Sequence, residues 1–117
     1  MLKLYGYKKC STCRKAEQFL LQAEIAYEFI DITENPPTGV ELAAIVERAN
    51  VPLKKLFNTS GVQYRELEIK KKLPALSSRE ILALLASNGR LIKRPLITDG
   101  KCATVGFNAE QFATVWG

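Results

Sequence analysis

Hydrophobic and polar positions alternate near the two ends of the chain and follow a helical period between them. Leu2-Lys3-Leu4-Tyr5 reads as a short strand, and Gly6 to Lys9 as the loop that follows it. From Arg14 the period changes. Ala16, Phe19, Leu20 and Ala23 recur at i, i+3, i+4 and i+7, which predicts one apolar helix stripe. Tyr27, Phe29, Ile30 and Ile32 then supply the aromatic and branched side chains of a second strand. Strand, helix and strand in sequence make a βαβ unit, a connection that runs right-handed in nearly all proteins.

Asn35-Pro36-Pro37-Thr38-Gly39 breaks the chain, and Leu42, Ile45, Val46 and Ala49 mark a helix ended by Asn50 and Pro52. Pro52 to Leu76 is mixed: Asn58-Thr59-Ser60-Gly61 is a turn with short helices on either side. Ser77 with Glu80 forms a capping box, opening a helix whose apolar face carries Ile81, Leu84 and Leu85. Asn88-Gly89 stops it. Leu96-Ile97-Thr98 and Cys102-Ala103-Thr104-Val105 flank Asp99-Gly100, a hairpin signal. Asn108 caps a last helix that buries Phe112, Val115 and Trp116. The order βαβ, several helices, ββα predicts a single α/β domain over residues 1–117, a four-stranded mixed sheet with flanking helices.

Composition adds exclusions. With 47% hydrophobic and 25% charged residues among 117, the chain is globular and not disordered. No apolar run reaches the roughly 18 residues of a membrane span, and the N-terminus reads as a strand instead of a signal peptide. The expectation is a cytoplasmic protein without a membrane partner, its thiols kept reduced. The net charge of +5 suits small anions. Lys70-Lys71-Lys72 is a solvated helix face, and without an arginine-rich stripe no direct nucleic-acid contact is expected. Histidine is absent, which removes Ser-His-Asp and Cys-His catalysis. Three cysteines and no histidine cannot complete a structural zinc site, so no metal is expected.

The candidate chemistry lies in Cys10-Ser11-Thr12-Cys13, between the first strand and the first helix. C-x-x-C in that position is a redox motif. The unpaired N–H groups of a helix start favour thiolate over thiol, and Lys8, Lys9, Arg14 and Lys15 add positive charge. Cys10 is then the reactive thiolate, and Cys13, about one turn later, the resolving thiol. The alternatives are two small residues at a helix start, or half of a metal site. Cys102 begins the last strand and is read as a small buried hydrophobe, with a third redox thiol as the alternative. Pro95 suits a cis bond that leaves backbone open beside the cysteines. Arg94 is then available to an oxyanion or a glutathione carboxylate, the alternative being a plain surface arginine.

Three motifs together resemble the arsenate reductase/Spx family: Cys10-Ser11-Thr12-Cys13-Arg14-Lys15-Ala16, then Leu56-Phe57-Asn58-Thr59-Ser60-Gly61 with Tyr64-Arg65-Glu66, then Lys93-Arg94-Pro95-Leu96 with Val105-Gly106-Phe107. The resemblance covers essentially the whole chain. It implies a thioredoxin-like fold with a helical insertion, a nucleophilic Cys10, and Arg14 and Arg94 as anion-binding residues. Asn58 stands where the arsenate reductases of this family carry another anion-binding arginine, and Cys13 where they carry serine. The reductase-like branch implies a thiol oxidoreductase without bound cofactor, reduced by glutathione with glutaredoxin, or by thioredoxin. The Spx-type branch implies instead a redox-sensing regulator that binds the α subunit of RNA polymerase. Those regulators carry a glycine for that contact where this chain reads Ala49-Asn50-Val51-Pro52, and they continue past the last helix. A monomer is expected in either case.

Overall fold

The computed structural model describes residues 2–117. Its strands are β1 (Leu2–Gly6), β2 (Tyr27–Asp31), β3 (Leu96–Thr98) and β4 (Ala103–Val105), joined in one sheet in the order β2-β1-β3-β4. The helices are α1 (Ser11–Gln22), α2 (Gly39–Ala49), α3 (Val62–Glu66), α4 (Ile69–Lys72), α5 (Ser78–Ser87) and α6 (Ala109–Val115). β1 runs parallel to β2, with Leu4 opposite Phe29, while β3 is antiparallel to both β1 and β4. This is the mixed sheet expected of βαβ followed by ββα, with α2 to α5 inserted between β2 and β3.

Side chains alternate across β1 and β3, so the sheet feeds a core on each face. Leu2, Leu4 and Ile97 pack with Ala16 and Leu20 of α1 and Phe112 of α6. Tyr5 and Leu96 face the other way, into a larger cluster with Leu42 and Ile45 of α2, Phe57, Ile69 and Leu85. Two capping boxes start the helices of that second layer: Thr38 with Glu41 for α2, and Ser77 with Glu80 for α5. Glu41 has a further partner, accepting from the Tyr5 hydroxyl at 2.7 Å, which ties the start of α2 to the central strand.

A short stitch fixes the insertion beside the sheet. Phe57 and Ile92 form an isolated antiparallel bridge, flanked by Asn58 N–H to Leu91 O at 2.8 Å and Lys93 N–H to Leu56 O at 2.6 Å. The turn at Asn58–Gly61 is thereby held next to Lys93 and Arg94.

Several boundaries differ from the periodicity reading. α1 begins at Ser11, ahead of its apolar stripe, because the cysteine segment forms its first turn. Ala23 is exposed, and Val115 and Trp116 are only half-buried, leaving Phe112 as the buried anchor of α6. The hairpin loop is also longer. Asp99 Oδ1 accepts from the N–H groups of Lys101 and Cys102, each at 2.8 Å, closing a four-residue loop over 99–102. Cys102 is therefore exposed ahead of β4, not a buried strand residue, because its N–H is taken by Asp99 and not by the sheet ladder.

Gly89 opens a single 3₁₀ turn, Gly89–Leu91, against the loop that leaves β2. A Cβ there falls 1.8 Å from Ile32 O, which is backbone and cannot rotate away. Gly89→Ala should lower the unfolding free energy by about 2–3 kcal/mol, the upper part of the overpacking range. Urea unfolding followed by Trp116 fluorescence checks this, and an unchanged midpoint would contradict it.

Candidate active site

The site begins where β1 ends. Gly6 carries no side chain, and a Cβ on it would lie 3.0 Å from Cys13 Sγ and 2.9 Å from Leu4 Cδ2. The bare backbone lets α1 settle over the strand end with the Cys13 sulfur buried against it. Tyr7 N–H points at that sulfur at 3.5 Å. The chain then turns sharply, Cys10 N–H to Tyr7 O at 3.0 Å, and the first helical bond follows from Arg14 N–H to Cys10 O at 3.1 Å. Cys10 is thus the extended residue before the first helical turn, partly exposed, while Cys13 inside that turn is fully buried.

The two thiols are held in opposite states by their surroundings. Partial burial pushes the Cys10 thiol up, but the Thr12 hydroxyl, the N–H and thiol of Cys13, and the charge of Arg94 together bring it down from 9.0 to about 7. Thr12 Oγ1 is 2.9 Å from Cys10 Sγ. Burial drives Cys13 the other way, from 9.0 to about 12, with its contact to Cys10 adding to the rise against the Tyr7 N–H and Arg94. The surroundings thus favour the thiolate at Cys10 and the protonated thiol at Cys13. Lys8, Lys9, Arg14 and Lys15, expected from sequence to polarise Cys10, are not what lowers it; the Lys8 ammonium instead sits 5.7 Å from the Phe29 ring centroid.

Cys10 opens into a cavity of about 540 Å³ walled by Thr12, Asn58, Ser60, Lys93, Arg94 and the Val105–Asn108 segment. The Arg94–Pro95 bond is cis, Pro95 is buried, and its carbonyl accepts from Gly106 N–H at 2.8 Å. Gly106 has φ +79, a left-handed backbone that turns the chain from β4 toward Phe107 and Asn108. The Arg94 guanidinium carbon lies 5.8 Å from the Tyr7 ring centroid, a cation–π distance.

Of the residues singled out in the sequence, the fold brings Cys10, Cys13, Asn58, Arg94 and Pro95 to one place. Arg14 it does not. That side chain is exposed on α1 outside the cavity lining, and its Nε donates to Lys8 O at 3.1 Å, bracing the loop before Cys10. Thr12, Lys93, Ser60 and Asn108 join the cavity lining although the sequence predicts no site role for them. Only Thr12 carried a readable signal, a hydroxyl two residues after a cysteine at a helix start.

Because the thiolate is the species that alkylates, iodoacetamide modification of Cys10 should rise with pH through a midpoint about 7, not 9.0. Cys13 should stay unmodified over the same range. Thr12→Val removes a bond to the thiolate and should move the midpoint upward; peptide mass spectrometry against pH reads both, and a midpoint near 9 in the parent protein contradicts the geometry.

Comparison with known proteins places this arrangement. Residues 5–115 match the model of the ArsC family. The uncharacterized protein YusI of Bacillus subtilis (strain 168) is 51% identical over 115 residues, covering 98% of each chain. The global transcriptional regulator Spx of Enterococcus faecalis (strain ATCC 700802 / V583) is 31% identical over 111 residues, 95% of this chain and 83% of its own. A solved structure described as a possible arsenate reductase from Streptococcus mutans UA159 superposes with a TM-score of 0.87. It is 43% identical and covers 97% of this chain and 98% of its own. With a thioredoxin-like sheet, a helical insertion and a family match over nearly its full length, the chain belongs to the ArsC family.

Proposed function

We propose that this protein is a cytoplasmic thiol–disulfide oxidoreductase of the arsenate-reductase-like kind, acting through Cys10 with Cys13 as the resolving thiol. The observation that carries this reading is the split between the two sulfurs, one near 7 and open to a cavity, the other near 12 and buried. A nucleophile that is charged at neutral pH attacks first; a neighbour that stays protonated until a mixed disulfide forms resolves second.

The step balances without a bound cofactor. The Cys10 thiolate attacks one sulfur of an oxidised substrate, a Cys10–substrate disulfide forms, and the other sulfur leaves as thiolate. Cys13 then gives up its proton and attacks Cys10 Sγ, releasing the second thiol and leaving a Cys10–Cys13 disulfide. Two electrons have passed to the substrate, and glutathione with glutaredoxin, or thioredoxin, returns them. Arg94 and Lys93 supply positive charge at the cavity, and Asn58 offers only neutral hydrogen bonds there. That lining suits the carboxylate of a thiol compound better than arsenate, whose multiple charges call for several guanidinium forks.

A second reading has its own support. Relatives named as Spx regulators align with 95% of this chain, and a reversible disulfide at the start of a helix can alter a binding surface as readily as it can turn over a substrate. In that reading the partner is the α subunit of RNA polymerase.

The deciding experiment follows NADPH loss in coupled glutathione reductase–glutaredoxin and thioredoxin systems, offering arsenate and a glutathione mixed disulfide separately. Cys10→Ser should bring turnover to background, and Arg94→Gln should reduce it about tenfold by removing one charge-assisted contact. Cys10-independent turnover overturns the enzymatic reading. No turnover, together with redox-dependent retention on immobilised polymerase α subunit, replaces it with the regulator.

A further inference from the structure

Tyr7, the first residue past β1, is tied to both cysteines through its backbone. Its N–H points at Cys13 Sγ at 3.5 Å, and its carbonyl accepts from Cys10 N–H at 3.0 Å. Its half-buried ring makes a different contact, with the Arg94 guanidinium carbon 5.8 Å from the ring centroid. The backbone on either side of Arg94 is anchored, since Lys93 N–H donates to Leu56 O at 2.6 Å and the Pro95 carbonyl accepts from Gly106 N–H at 2.8 Å. The Arg94 side chain has no such anchor. It lines both the cavity at Cys10 and a second hollow of about 410 Å³ shared with Tyr7 and Glu66. Glu66 does not hold it: among the described residues the only ion pair joins Lys71 to Glu68, and the guanidinium donates no hydrogen bond.

A long cation with open space on two sides spreads over many rotamers, and its field at any fixed atom weakens accordingly. Against burial, and after the bonds from Thr12 and Cys13, Arg94 is the one cation that lowers the Cys10 thiol. The other charged groups near the motif are held elsewhere. Arg14 is bound to Lys8 O, and the Lys8 ammonium lies near Phe29. Lys93, in the Cys10 cavity lining, runs its stem 3.0 Å from where a Gly106 Cβ would stand. We infer that Tyr7 is a positioning residue whose ring seats the Arg94 guanidinium beside the thiol pair. A face contact of this kind fixes the charge without consuming its N–H donors. The seat serves Cys10 whether that thiol turns over a substrate or switches a binding surface.

The test is the pH profile of Cys10 alkylation by iodoacetamide, read by peptide mass spectrometry at low and high salt. Tyr7→Leu should raise the midpoint by about half a pH unit, slowing the reaction about twofold near neutral pH. Tyr7→Phe keeps the ring face and should match the parent. Arg94→Gln should raise the midpoint by as much as Tyr7→Leu does. The double variant should go no further, because the ring acts only through the charge it seats. High salt should raise the parent midpoint and leave that of Tyr7→Leu nearly fixed. Tyr7→Ile makes the same comparison if Tyr7→Leu does not fold. The seat is overturned if removing the ring leaves the midpoint unmoved, if its effect persists in the Arg94→Gln background, or if Tyr7→Phe shifts as far. Alkylation needs no turnover, so losing the enzymatic reading alone would move none of these midpoints.

Discussion

β1 has a side chain in each of two cores and no room for error between them. Leu2 and Leu4 must face α1 and α6, while Tyr5 must face α2, and its hydroxyl must find Glu41 in the same layer. A shift of one residue would invert all of these at once. That fixed register ends the strand on Gly6, the one residue type whose backbone can touch a buried sulfur at this distance. The position of Cys13 follows from it, and with Cys13 set, the start of α1 and the exposure of Cys10 are set as well. The placement of both sulfurs is a consequence of strand register.

The two cysteines belong to one four-residue motif but experience different solvents. Cys10 keeps contact with water and gathers hydrogen bonds that favour charge, whereas Cys13 has lost water and gains little in return. In a chain with no histidine, the asymmetry arises from a hydroxyl, a helix start and one guanidinium. Arg94 acts on both sulfurs, and its distance to Tyr7 shows how it is steered: an aromatic face in the loop before Cys10 holds a charge contributed from the other end of the chain.

The architecture was readable from the sequence because strand and helix periods are separate here and the caps are explicit. Ser77 with Glu80 and Asn108 with Gln111 both make the predicted bonds. Thr38 with Glu41 makes the same box, its signal masked in the sequence by the two prolines before it. Cys102 was misplaced because Asp-Gly suggests a two-residue turn, and only the side chain of Asp99 shows that the loop takes four. In the site, local features were legible and distant ones were not. C-x-x-C at a strand–helix junction announces itself, whereas the facing of Lys93, Asn108 or Glu66 depends on how far the insertion folds back. Nothing in the sequence around Arg14 distinguishes a guanidinium that binds substrate from one that braces a loop.

The stitch between Phe57 and Ile92 has a consequence for the order in which the molecule is made. The thiol pair sits within the first βα unit, so apart from the Arg94 charge its hydrogen-bond contacts are local in sequence and can form early. The walls of the cavity at Cys10 come largely from residues 58 to 60, 93 to 94 and 105 to 108, and the bridge joins the first two of these segments. A growing chain therefore carries both thiols before it carries the walls around them. In such a chain the long insertion sets the interval for which Cys10 stands without its cavity, and the speed of its return to the sheet ends that interval.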